Sequence, residues 1–203
     1  MIIGVDFDNT LVCYDDLFYR AARERRLVEP DAPRSKQALR DQLRGEGREN
    51  EWTELQGYVY GVYIRHAPAF DGAVDCLAQW FRRADGLAII SHKTKRPYRG
   101  PDVDLHKAAR DWLAASGVFG HPVGLAPEQA FFEDTLSDKL ARIAAVGCTH
   151  FIDDLPELLT RSDFPDGVKR ILFDPHARHD DTEVYRRAGS WCEIDAMLAG
   201  DDG

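Results

Sequence analysis

The stretch Met1-Ile2-Ile3-Gly4-Val5-Asp6-Phe7-Asp8-Asn9-Thr10 decides how the rest of the chain is read. A short apolar run leads straight into two acids, as a buried parallel strand does before its C-terminal loop. One residue separates Asp6 from Asp8, so a strand-end loop can aim both carboxylates toward one centre. At ~4 Å two such charges repel by a few kcal/mol at an effective dielectric of ~20, and a divalent cation turns that repulsion into attraction. Mg²⁺ prefers oxygen-only sites of this kind, built from few protein carboxylates.

The pattern recurs downstream. Gly86 to Ile90 (GLAII) ends at Ser91, Thr149 to Ile152 (THFI) ends at Asp153-Asp154, and Val168 to Phe173 (VKRILF) ends at Asp174. Between these apolar runs lie helical periodicities over Asp71 to Arg83, Leu105 to Ser116 and Ser137 to Val146, the last stopped by Gly147. Strands alternating with helices imply an α/β fold, a three-layer sandwich with a central parallel sheet. Ligands of such sheets bind outside the carboxyl ends of the strands, where the polar residues just named would gather.

Residues 15–66 break this rhythm. They are charged, helical and punctuated by turns near Pro30 to Arg34 and Gly45 to Arg48, and they read as a small helical cap inserted into a core of residues 1–14 and 67–203. Trp52, Tyr58, Tyr60 and Tyr63 close the insertion; simple packing is the first reading for each, with a ligand-facing role as the alternative. The tail Gly200-Asp201-Asp202-Gly203 is expected to fray.

Composition narrows the function classes. A hydrophobic share of 44% beside 30% charged residues suits an ordinary globular protein. With 26 Lys and Arg against 35 Asp and Glu, the net charge of −9 argues against nucleic acid and anionic membranes as partners. No apolar run approaches the ~20 residues that span a bilayer, and the first residues lack a basic leader, so a cytoplasmic location is expected. Cys13, Cys76, Cys148 and Cys192 are far apart and form no CxxC pair, and they read as reduced thiols. The sequence leaves the oligomeric state open.

Asp6-Phe7-Asp8-Asn9-Thr10 resembles the DxDx[TV] signature of the haloacid dehalogenase-like (HAD) superfamily, and the resemblance extends along nearly the whole chain outside the cap. Ser91 resembles the second motif, a hydroxyl that hydrogen-bonds phosphoryl oxygens. Lys139, ahead of the final acidic strand by one helix, resembles the third, a cation that steadies the nucleophile; Lys93, Lys95 and Lys107 do not share that position. Asp153-Asp154 resembles the acidic fourth motif. Any one motif is weak, but four in order at strand ends and helix starts form a joint signal.

What the resemblance implies is covalent phosphoryl transfer from a small phosphorylated metabolite. Asp6 attacks phosphorus, and Asp8 protonates the leaving oxygen and then activates water. The implied Mg²⁺ ligands are the Asp6 carboxylate, the Asp8 backbone carbonyl and one acid of the Asp153-Asp154 pair, with Asp154 favoured as the inner one. Positioning and neutralisation of the phosphoryl oxygens fall to the ion, Lys139, Ser91 and backbone near Phe7. Within the superfamily the dehalogenase branch lacks an acid at the position of Asp8. The phosphonate-cleaving branch needs a cap lysine, and Lys36, in a hydrophilic stretch, reads as solvated. Phosphomutases stay open, as does a 5′-nucleotidase, which the run FIDDLPE with Glu157 resembles. A non-catalytic phosphometabolite-binding protein is the reading from another class.

The loop His92-Lys93-Thr94-Lys95-Arg96-Pro97-Tyr98-Arg99-Gly100 is cationic in an acidic protein. It either binds a second anionic group of the substrate or pairs with neighbouring acids such as Asp102 and Asp104. Phe7, Thr10, His92, Lys93 and Arg96 are therefore the candidate substrate contacts. His66 and the run from Asp174 to Asp181 hold histidines without the spacing of a tetrahedral metal cluster.

Overall fold

The computed structural model describes residues 1–201; of the tail expected to fray, Asp202 and Gly203 lie outside the described residues. The chain forms two units. The first comprises Met1–Val12, Ala69–Lys93 and the chain from Leu113 onward, and the second Cys13–Pro68 with Thr94–Trp112.

The first unit is built on six parallel strands: β1 (Ile2–Val5), β2 (Gly86–His92), β3 (Ala130–Glu133), β4 (His150–Asp153), β5 (Lys169–Phe173) and β6 (Arg186–Ala188), in the order β3-β2-β1-β4-β5-β6. β1 is central because its residues are apolar on both faces; Ile3 and Val5 are fully buried, and the register sets Val5 beside Ile89 of β2 and Ile152 of β4. Gly4 is required here by close approach, since a Cβ would come within 2.6 Å of the Phe151 ring and 2.8 Å of Cys148 Sγ.

The strands expected from sequence all form. β3 and β6 were not foreseen: the apolar run Ala130-Phe131-Phe132 is short, and Arg186-Arg187-Ala188 carries none and is held as an edge by pairing with β5. Of the helices that follow the second unit's first three, α4 (Ala73–Arg83), α6 (Leu136–Val146), α7 (Pro156–Leu159) and α8 (Trp191–Asp201) belong to the first unit, and α5 (Leu105–Ala115) lies mostly in the second. On one side of the sheet Leu140 and Ile143 of α6 pack with Ile90, Phe151, Leu158, Phe164 and Leu172. α8 includes Gly200 and Asp201, so these two residues are helical where fraying was expected. The cause is Asp201, whose carboxylate accepts from Lys169 (2.9 Å), Arg186 (2.5 Å) and His150 (3.1 Å).

The second unit contains α1 (Asp15–Glu24), α2 (Lys36–Gly45) and α3 (Glu49–Tyr58), followed by a π-helical turn over Val59–Tyr63 and a 3₁₀ turn over Ile64–His66. Leu17, Phe18 and Ala21 of α1, Leu39 and Leu43 of α2, and Trp52 and Leu55 of α3 recur at helical spacing and are buried. Ser35 caps α2 by accepting from the Ala38 N–H at 3.2 Å. The four aromatics pack within the unit. Trp52 stacks on Phe18 (centroids 5.1 Å apart), Tyr58 on Tyr63 (5.5 Å), and Tyr60 meets Tyr14 edge-on (5.0 Å). Lys36 is half-buried instead of solvated, its ammonium 5.6 Å over the Phe18 ring and 5.5 Å over that of Tyr60.

Residues 94–112 differ from the boundaries read in the sequence, which gave them to the core. They pack on α3 and the π turn because Gly57 and Gly61 offer no side chain; a Cβ on Gly57 would lie 2.0 Å from the Arg99 carbonyl oxygen, and one on Gly61 2.3 Å from Val103. Trp112 Nε1 donates to the Ala67 carbonyl at 2.9 Å within the same unit.

Candidate active site

The sheet order itself brings the acids together. β1 and β4 are neighbours, and the Asp6 N–H continues their ladder by donating to the Ile152 carbonyl at 2.9 Å, so Asp6 and Asp153 emerge side by side at the carboxyl ends. β2 flanks β1 on the other side and delivers Ser91, whose hydroxyl donates to Asp6 Oδ1 at 2.8 Å.

After Asp6 the chain turns tightly. Leu11 and Val12 N–H both donate to the Phe7 carbonyl, and Asn9 takes φ +58°, a left-handed conformation that asparagine tolerates. The Phe7 ring is fully buried, edge-on to Phe132 at 5.6 Å, so only its backbone remains for a substrate contact. Thr10 is fully buried as well; its hydroxyl lies 3.5 Å from Asp154 Oδ1 and its carbonyl accepts from Trp191 Nε1 at 3.2 Å.

Lys139 sits in the first turn of α6, which Thr135 caps by accepting from the Asp138 N–H at 3.0 Å. An ammonium near a helix N-terminus opposes the macrodipole, and here two carboxylates outweigh that cost. Nζ donates to Asp6 Oδ1 and to Asp153 Oδ2, both at 2.6 Å, with all three side chains at most 6% exposed. Burial works to lower the Lys139 pKa, but the adjacent charges of Asp153 and Asp6 prevail and raise it. Asp153 is pushed up to about 6, chiefly by burial and also by the charge of Asp6, against the pull of Lys139. Its other oxygen accepts from the Leu155 N–H at 2.9 Å.

Oxygens of Asp6, Asp153 and Asp154 lie within 4.8 Å of one another. Three carboxylates with one ammonium between two of them leave an excess of negative charge, and the donor set is entirely hard oxygen. That donor set suits a hard divalent cation, which Asp6 and Asp154 would hold, Asp153 being engaged on both oxygens by Lys139 and the Leu155 N–H.

Asp8 stands outside that cluster. Its carboxylate receives the Lys93 ammonium on both oxygens, at 2.9 and 2.7 Å. The clue lay in the two-residue alternation along β2, which turns Ser91 and Lys93 to one side and His92 to the other. His92 is exposed, its Nε2 3.1 Å from the Asp134 carbonyl, and shows no contact with the acids. Arg96 belongs to the second unit, where it pairs with Asp102 while Lys95 lies 3.9 Å from Asp104. Of the two readings of the basic loop, pairing with neighbouring acids is the one these contacts display.

No family model and no curated protein sequence matches the chain. Solved structures do. YfnB from Bacillus subtilis, described as a HAD-hydrolase bound to magnesium, aligns with a TM-score of 0.58 and 14% identity over 97% of each chain. A HAD family hydrolase from Deinococcus radiodurans with bound phosphate and sodium aligns at 0.53 and 16% identity, over 99% of this chain and 96% of that one. A dehalogenase aligns at 0.58 and 15%, over 98% and 96%. The chain therefore has the HAD-like α/β fold.

Proposed function

We propose that this protein is a magnesium-dependent phosphatase that hydrolyses a small phosphorylated metabolite through an aspartyl-phosphate on Asp6. The observation that carries the proposal is the convergence on one carboxylate, Asp6, of the Ser91 hydroxyl at 2.8 Å and the buried Lys139 ammonium at 2.6 Å, beside the Asp153-Asp154 pair. Phosphoryl transfer asks for positioning and for neutralisation of charge on the transferring group, and donors fixed in a dry site supply both without reorganising. When bound, Mg²⁺ would contribute neutralisation of the phosphoryl oxygens.

The chain's own residues carry the covalent steps. An oxygen of Asp6 forms a bond to phosphorus as the bond to the leaving oxygen breaks, and Asp8, taking up a proton on an oxygen released from Lys93, passes it to that leaving oxygen. The Asp8 carboxylate then takes a proton from water, the resulting hydroxide attacks phosphorus, and the bond to Asp6 breaks to release phosphate. Asp8 also separates this reading from a dehalogenase, which has no use for a second acid; the fold alone serves both chemistries. Magnesium in YfnB and phosphate in the Deinococcus protein accord with the same reading.

The test is release of phosphate from p-nitrophenyl phosphate and from a panel of phosphorylated metabolites, with Mg²⁺ or with EDTA. Turnover that needs Mg²⁺ and disappears in Asp6→Asn supports the proposal, and a wild-type protein that binds phosphate esters without turnover refutes it. The panel also separates a nucleotidase from an enzyme for other metabolites.

A further inference from the structure

We infer that Lys93 is a positioning residue that fixes the Asp8 carboxylate for proton transfer, an inference that rests on the phosphatase reading of the site. A carboxylate on a loop rotates about two side-chain bonds, and Asp8 is 20% exposed with a turn behind it. Proton transfer requires that it be held to within a fraction of an ångström. The Lys93 ammonium supplies that restraint by donating to both oxygens, at 2.9 and 2.7 Å, which anchors the head of the carboxylate to the end of β2.

Lys93 is itself rigidly mounted. Its side chain is 3% exposed, and its ammonium lies 5.4 Å from the centre of the Phe7 ring. Its backbone N–H donates to the Glu133 carbonyl at 2.8 Å, extending the β2–β3 ladder one residue beyond β2. One strand end thus serves both acids of the Asp6-Phe7-Asp8 segment, with Ser91 on Asp6 and, two residues on, Lys93 on Asp8. Giving a proton requires one of the two contacts to open, and the other then keeps the group in place.

A residue that positions the acid affects substrates according to their need for a proton. Nitrophenolate leaves without one, whereas phenolate, a much stronger base, depends on it. The experiment compares kcat/KM for p-nitrophenyl phosphate and phenyl phosphate in the wild type, Lys93→Met, Lys93→Gln and Lys93→Arg, with thermal unfolding as the check on folding. Loss of the ammonium is expected to lower kcat/KM for phenyl phosphate about tenfold more than for p-nitrophenyl phosphate, with KM little changed. Lys93→Arg is expected to recover part of the difference. Should Lys93→Met fail to fold, Lys93→Gln reads the same ratio. Equal losses on both substrates, or a rise in KM at constant kcat, would overturn the role of Lys93 while leaving the phosphatase reading intact. Absence of turnover in the wild type would remove that reading itself.

Discussion

Lys139 Nζ and Asp6 Oδ1 lie 2.6 Å apart in the interior of the sheet's carboxyl edge, and the same ammonium reaches Asp153 Oδ2 at 2.6 Å. Lys139 is therefore a bridge between two buried acids. Lys139→Met leaves those acids facing each other without compensation, a change that costs about 3–5 kcal/mol when one partner of a buried pair is removed. The variant is expected to unfold at markedly lower denaturant concentration and to lose turnover. An unchanged midpoint would show that the pair contributes nothing to stability.

Metal binding should also register in stability. A ligand at a hundred times its dissociation constant stabilises the native state by about 2.7 kcal/mol. Mg²⁺ is expected to raise the unfolding temperature of the wild type and to lose most of that effect in Asp154→Asn. An equal rise in both proteins would place the ion elsewhere.

His150 predicts a pH dependence remote from the chemistry. Burial lowers its pKa below the ordinary 6.5, although Asp201 pulls the other way. As pH falls through 6.5 the unfolded chain takes up a proton that the folded one refuses, so this group contributes a loss of stability below 6.5. His150→Gln is expected to flatten the fall in unfolding temperature between pH 7.5 and 5.5. The comparison is made between variants because Asp153, raised to about 6, contributes with the opposite sign, its stabilisation growing as pH falls. Parallel curves for the two proteins would contradict the assignment.

Gly57 should tolerate no side chain. Its missing Cβ leaves room for the Arg99 carbonyl, which would otherwise lie 2.0 Å away, so Gly57→Ala forces residues 94–112 off α3 at a cost of about 1–3 kcal/mol. Gly45→Ala is the control, with nothing within 4 Å of the new methyl, and is expected to be neutral or mildly stabilising. Similar thermal unfolding of the two variants would argue against the packing described.

The parts legible in the sequence are those where local pattern and tertiary environment agree. Buried parallel strands need apolar residues on both faces, which made β1, β2, β4 and β5 visible, and the acids and hydroxyl at their ends marked Asp6, Ser91 and Asp153. β6 was invisible because Arg186 and Arg187 owe their extended form to a neighbour. The destination of residues 94–112 was equally hidden, being set by the absence of side chains on Gly57 and Gly61 in a helix far away in sequence. Lys93 falls between these cases. The alternation that separates it from His92 was present, but a charged loop gives no local sign that one of its ammonium groups is buried on Asp8.

A single measurement reaches the centre of the account. Protein quenched in acid during turnover of p-nitrophenyl phosphate, for the wild type and for Asp8→Asn, is digested and its peptides weighed. One phosphoryl group on the peptide containing Asp6, enriched in Asp8→Asn and absent from Asp6→Asn, is the predicted result. Turnover that leaves no phosphoryl group on Asp6 in either protein, or that labels a different residue, would contradict it.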